Sequence, residues 1–133
     1  MDEAWKKLPA DAYDAALLLL QNGRCRSMIS RAYYAVFSRA TALLVVHGMK
    51  PPDGREGPHH AKLATLIVDH LEYLGDHRFK IAAWVTTLYH DLRLRADYCP
   101  SAPVDMGDAR DALALMRNAC RYLKERKCDR KKR

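Results

Sequence analysis

The side chains best suited to chemistry lie in the run His90-Asp91-Leu92-Arg93-Leu94-Arg95-Ala96-Asp97-Tyr98. Arginine offers a planar fork of N–H donors, and histidine changes charge near neutral pH. On a helix, His90, Arg93 and Asp97 fall at i, i+3 and i+7 and share one face, with Tyr89 on its neighbouring edge. That makes a candidate polar site beside the proline break that follows. The same residues suit a structural role, in which an Arg–Asp ion pair caps the helix and ties down the loop.

Two further places stand out. Pro58-His59-His60 opens a helix after a long loop. A helix N-terminus disfavours a cation, so a histidine in its first turn is expected to be neutral, an acceptor or base. Adjacent histidines diverge, and the residue four on from His60 is Ala64, so no metal ligand set is expected here, and no cofactor. The other place is Ser30-Arg31-Ala32-Tyr33-Tyr34-Ala35-Val36-Phe37. Neighbours on a helix point about 100° apart, so Tyr33 and Tyr34 cannot both face a core. One is expected to be partly exposed, as a stacking surface or interface anchor, and the periodicity does not choose between them.

Helices must position these residues. Pro9 and Asp11 mark the start of a first helix that ends before Gly23. Its apolar residues are Ala12, Ala15, Ala16, Leu18, Leu19 and Leu20. A second runs from about Arg24 to His47, stopped by Gly48, with Ile29, Ala32, Val36, Phe37, Ala40, Leu43 and Leu44 at spacings of three and four. It is expected to be the central helix. Residues 50–58 hold three prolines and two glycines and form a loop. A third helix is expected over His59–Leu74 and closed by Gly75, a fourth over His77–Asp97, and a fifth from Asp105 to Leu123. The short links at Gly23 and Gly75 predict antiparallel neighbours. The fold class is therefore all-α, an antiparallel up-and-down bundle of about five helices.

Composition narrows the setting. The chain has 133 residues, 49% hydrophobic and 29% charged, which suits one globular domain. No run approaches the roughly 18–20 apolar residues of a membrane span, and the acidic N-terminus does not read as a signal peptide. Cys25, Cys99, Cys120 and Cys128 form no C-x-x-C pair and read as reduced thiols, so a cytoplasmic location is expected. From Arg117 to Arg133 there are nine Lys or Arg against two acids, which accounts for the entire net charge of +7. The expected division is a bundle over 1–125 and a basic tail over 126–133. The tail suits a solvated end or a polyanion contact.

Taken together, these segments resemble the HEPN domains, and among them the small stand-alone proteins encoded beside minimal nucleotidyltransferases. The resemblance is carried by Ala32-Tyr33-Tyr34-Ala35-Val36-Phe37 with Ala42-Leu43-Leu44 behind it, by His60, and by Leu92-Arg93-Leu94-Arg95-Ala96-Asp97-Tyr98. A last helix with Asp108, Ala109 and Ala119 fits the layout, so the likeness spans Leu8 to Leu123. It implies an antiparallel bundle that forms a homodimer with a shared polar cleft. Many HEPN proteins are metal-independent endoribonucleases, acting as toxins or defence effectors through an Arg-x4–6-His motif. In such a motif arginine stabilises charge on the scissile phosphate and histidine assists proton transfer. This chain departs from it: no histidine follows Arg93 or Arg95, and His90 precedes them.

The resemblance implies first a protein that binds RNA or a nucleotide and partners a nucleotidyltransferase in a toxin–antitoxin or defence module. Arg93 and Arg95 then contact phosphate, Asp97 orients one of them, and Tyr34 or Tyr98 stacks or donates a hydrogen bond. The alternative is a metal-independent endoribonuclease toxin, with Arg93 and either His60 or His90 as catalytic residues. A second alternative is a purely structural dimerising bundle.

Overall fold

A glycine turn decides how the first two helices meet. In the computed structural model, which describes residues 3–126, α1 spans Glu3–Gln21 and α2 spans Cys25–Val46. Gly23 adopts φ +68° between them. Its N–H donates to the Leu20 carbonyl (3.1 Å), and the Arg24 N–H donates to that of Leu19 (2.9 Å). This bond pair closes a helix through a left-handed residue, which glycine adopts without a Cβ clash. The link folds α2 back along α1.

Helix α1 begins at Glu3, six residues before the expected start, and carries Pro9 in its interior. A proline there loses its own backbone bond and crowds the preceding turn. Here its ring is buried and Leu8 packs on the core, which offsets that cost. Ala12 and Ala16 form the contact stripe, while Leu18 points outward.

Helix α2 is central, as its apolar spacing predicts. It packs against α1 and against the helices that follow it in the chain, and Met28, Ile29, Val36 and Leu44 are fully buried. Each such side chain stabilises the fold by about 1.5–3 kcal/mol relative to exposure.

The expected third helix, His59–Leu74, is divided in the structure. A tight 3₁₀ turn, His60–Lys62, leads into α3 (Leu63–His70), and a second turn, Glu72–Leu74, follows. Leu71 between them leaves helical geometry at φ −104°, ψ 48°. Leu63, Ile67 and Leu71 all reach the core despite the break. The expected fourth helix is continuous but not uniform. It runs as α4 (His77–Thr87), a π-helical turn (Leu88–Arg93) and α5 (Leu94–Tyr98).

The last helix, α6 (Met106–Tyr122), is set by Asp105. The Asp105 carboxylate accepts from the Asp108 N–H, and the Asp108 carboxylate accepts from the Asp105 N–H, both at 3.0 Å. This reciprocal box satisfies two orphan donors of the helix start. Counting α4, the π turn and α5 as one rod, the described residues form five helical rods with no strand. The all-α bundle is thus as expected. Among the described residues no helix is long and apolar enough to cross a membrane. The expected basic tail lies outside the described residues from Lys127 onward.

Candidate functional site

Ser30, Tyr33 and Phe37 lie on one face of α2 because they are spaced by three and four residues. That face receives the π turn, α5 and the turn that opens α3. Tyr33 is buried and Tyr34 half-buried, so Tyr34 is the exposed member of the pair. The Arg31 guanidinium sits 5.1 Å from the Tyr34 ring centroid, and Tyr34 stacks on Phe37 at 6.1 Å.

Arg93 occupies the centre of this surface. Its guanidinium carbon lies 5.4 Å from the Tyr33 ring centroid, 5.7 Å from Tyr89 and 5.1 Å from Tyr98. A cation over an aromatic face is worth about 0.5–1 kcal/mol at exposed sites. The Arg93 Nε donates to Asp97 Oδ2 at 2.9 Å, and Ser30 Oγ donates to the same oxygen at 3.1 Å. The fork is thus held at its inner nitrogen, and its two terminal nitrogens carry the remaining donors. The predicted pairing of Arg93 with Asp97 is present.

The predicted inclusion of His90 is not. His90 is exposed and meets the Tyr89 ring edge-on. The π turn is the reason. Its longer i→i+5 loop holds more residues per turn, so the separation of His90 and Arg93 opens from about 60° to roughly 110°. Nothing in the apolar spacing marks that extra residue.

His60 takes the place beside Arg93. Its Nδ1 lies 2.8 Å from the Tyr33 hydroxyl. Its ring lies 4.5 Å from Phe37, 5.4 Å from Tyr33 and 5.6 Å from Tyr89, nearly parallel to the last. Burial lowers its pKa, and the charges of Arg93, Arg55 and His59 lower it further. His60 is therefore neutral near pH 7, as expected, although burial rather than the helix dipole is the leading cause. Burial and Tyr89 push the Tyr33 phenol well up, and Arg93 only partly counters this, so Tyr33 keeps its proton. Nδ1 is committed to the phenol as donor or acceptor according to tautomer, which leaves Nε2 for other partners.

Arg95 lies elsewhere. It pairs with Asp108 Oδ1 on α6 at 2.7 Å and lines a separate groove with Thr87, Asp91, Asp111 and Leu115. Two residues along α5 turn it about 160° from Arg93. The expectation that both arginines serve one ligand is thus not matched by their placement. Asp108 has its pKa lowered chiefly by the backbone N–H of Asp105, with Arg95 adding to the effect. Tyr98 is exposed and reaches back over Arg93. The cluster therefore joins Tyr34, His60, Arg93, Asp97 and Tyr98, and separates Arg95 and His90 from its centre. Ser30, Tyr33 and Tyr89 also belong to it, with roles the sequence reading did not assign. Their helical spacing against Phe37 and Arg93 was the available signal.

The HEPN domain family model matches residues 3–127. A UPF0332 protein of Pyrococcus horikoshii is 47% identical over 45 residues, 34% of this chain and 32% of that protein. A UPF0332 protein of Thermotoga maritima is 40% identical over 47 residues, 35% of this chain and 36% of that protein. The chain therefore spans about a third of the length of these two relatives. A Methanocaldococcus jannaschii protein bearing the name "Putative toxin MJ0605" is 27% identical over 103 residues, 77% of this chain and 72% of that protein.

Proposed function

Because the chain belongs to the HEPN domain family, we propose that it is a toxin-like HEPN protein that binds RNA or a nucleotide at the Arg93 cluster. In this reading it acts in the cytoplasm as a homodimer, paired with a nucleotidyltransferase in a toxin–antitoxin or defence module. The observation that carries the binding site is the framing of Arg93 by three tyrosine rings and Asp97. Asp97, itself held by the Ser30 hydroxyl, fixes the inner nitrogen, so the terminal nitrogens meet a phosphate bidentately at little ordering cost. Tyr98 and Tyr34 supply exposed aromatic surface on which bases stack. The toxin-like part draws support from the name of the Methanocaldococcus relative. The nucleotidyltransferase partner rests on the family resemblance, and the dimer on that resemblance with the half-exposed Tyr34 beside it.

A second reading, a metal-independent endoribonuclease, is favoured by the position of His60. Its ring shares Tyr33 and Tyr89 with Arg93. A guanidinium for phosphate charge and a neutral imidazole for proton transfer thus share one patch, although the chain lacks the ordered Arg–His motif. Here Nδ1–H donates to the Tyr33 oxygen, and Nε2 takes the proton of a ribose 2′-hydroxyl as its oxygen bonds to phosphorus. The P–O5′ bond breaks, and the leaving 5′-oxygen takes a proton from water.

One experiment separates these readings: labelled total RNA incubated in EDTA with wild type, Arg93→Ala and His60→Ala. Retardation by wild type that Arg93→Ala loses, with no cleavage, is expected for the binding protein. Cleavage lost in both variants establishes the endoribonuclease. Neither binding nor cleavage leaves the Arg93–Asp97 pair as a structural tie.

A further inference from the structure

One arginine outside the cluster makes an unusual set of contacts. Arg26, in the first turn of α2, donates through Nη1 to the carbonyls of Arg95 (3.2 Å), Ala96 (3.0 Å) and Cys99 (3.2 Å). Its Nη2 donates to Pro100 (3.3 Å) and to Ala102. These five acceptors end α5 and form the turn beyond it. The last carbonyls of a helix have no partner within it, and a cation there also opposes the negative end of the helix dipole.

The sequence position of Arg26 gives this clamp its consequence. Arg26, Ser30, Tyr33 and Phe37 are spaced by four, three and four residues and so share one face of α2. Along that face Arg26 holds the end of the α4–α5 rod, Ser30 holds Asp97, and Tyr33 lies under Arg93. The rod meets this template just after its π turn. Such a turn is an α-helix carrying one inserted residue, and here α2 meets the rod at the last residue of that turn and beyond it. Releasing the insertion would turn everything after it by about 100° relative to the rest of the rod.

We infer that Arg26 is the positioning residue of the Arg93 site, fixing the register of the π turn so that Arg93 faces Tyr33 and Asp97 faces Ser30. Arg26 acts through the backbone and touches no ligand. The planar fork matters because five carbonyls in two groups need donors from both terminal nitrogens, which a lysine ammonium cannot span. The role concerns the site proposed above to bind RNA, and its effect on affinity rests on that reading. Its effect on geometry does not.

The test uses the full chain with the Arg93 Nε–H followed by NMR, its signal assigned by its loss in Arg93→Lys. In wild type the signal is expected to be sharp and shifted by Asp97. In Arg26→Ala, with helical circular dichroism retained, it is expected to broaden or move to the position of a free arginine. Where Arg26→Ala does not fold, Arg26→Lys is read in the same way and is expected to show the same shift. An unchanged Arg93 signal in either folded variant overturns the inference. RNA affinity gives the second readout. Arg26→Ala is expected to weaken wild-type binding about tenfold yet leave unchanged the weaker binding that Arg93→Lys retains through its charge, the coupling of residues that share one network. Equal losses in both backgrounds overturn the positioning role. Should wild type bind no RNA, the proposed function fails while the NMR signal still decides this inference.

Discussion

The Tyr33 hydroxyl and His60 Nδ1 meet at 2.8 Å across 27 positions of sequence. This bond ties α2 to the turn that opens α3 and places an imidazole on the aromatic patch that holds Arg93. It also uses one of the polar atoms of a buried tyrosine that would otherwise lack a partner, a group costly to leave unsatisfied.

The environment of His60 sets a pH dependence. Its folded-state pKa lies below the ordinary 6.5, so an NMR titration of its ring is expected to give a midpoint under that value. Between the two values the unfolded chain binds more protons than the folded one. Its contribution to stability is therefore complete above about 6.5 and is lost as pH falls to the folded midpoint. Urea unfolding across this range checks the sign, and His60→Gln should flatten the slope.

Removing only the hydroxyl tests the bond itself. Tyr33→Phe is expected to cost about 1 kcal/mol, the usual net value of a neutral hydrogen bond, with the ring contacts retained. Urea unfolding at pH 7.5 measures it. A cost near zero would mean that the bond adds no net stability over the water bonds it replaces.

The start of α6 depends on Asp105. Asp105→Ala removes its half of the capping box and is expected to destabilise by about 1 kcal/mol, seen as a lower Tm. Amide exchange should quicken first at Asp108, whose N–H loses its acceptor. An Asp105→Ser variant, which keeps a capping oxygen, should recover much of the loss.

Thiol reactivity separates two cysteines. Burial pushes the Cys120 thiol up to about 11, while Cys99 is exposed. Alkylation at pH 8 followed by peptide mass spectrometry should therefore modify Cys99 well before Cys120, because the thiolate is the reacting form. Comparable rates would show that the packing of α6 opens readily around Cys120.

Much of the fold was legible in local sequence. Gly23 and Gly48 marked helix ends because each needs a positive φ, and the spacing of Ile29, Val36, Ala40 and Leu44 marked α2 as a buried helix. Pro9 misled, because its weak local rule yields to packing of a buried ring. The division of the expected third helix was not legible, since Leu63, Ile67 and Leu71 keep helical spacing across the break at Leu71.

The candidate site divides in the same way. The sequence alone placed Arg93 and Asp97 on one face within reach of each other, because four residues of helix separate them. It also determined that one of two adjacent tyrosines would be exposed. Only the tertiary structure decided that it is Tyr34, that His60 rather than His90 joins Arg93, and that Arg95 belongs to Asp108. Those choices depend on the extra residue of the π turn and on how α2 faces α3 and α5. Both are settled by packing between distant segments, which leaves no periodic mark in the chain.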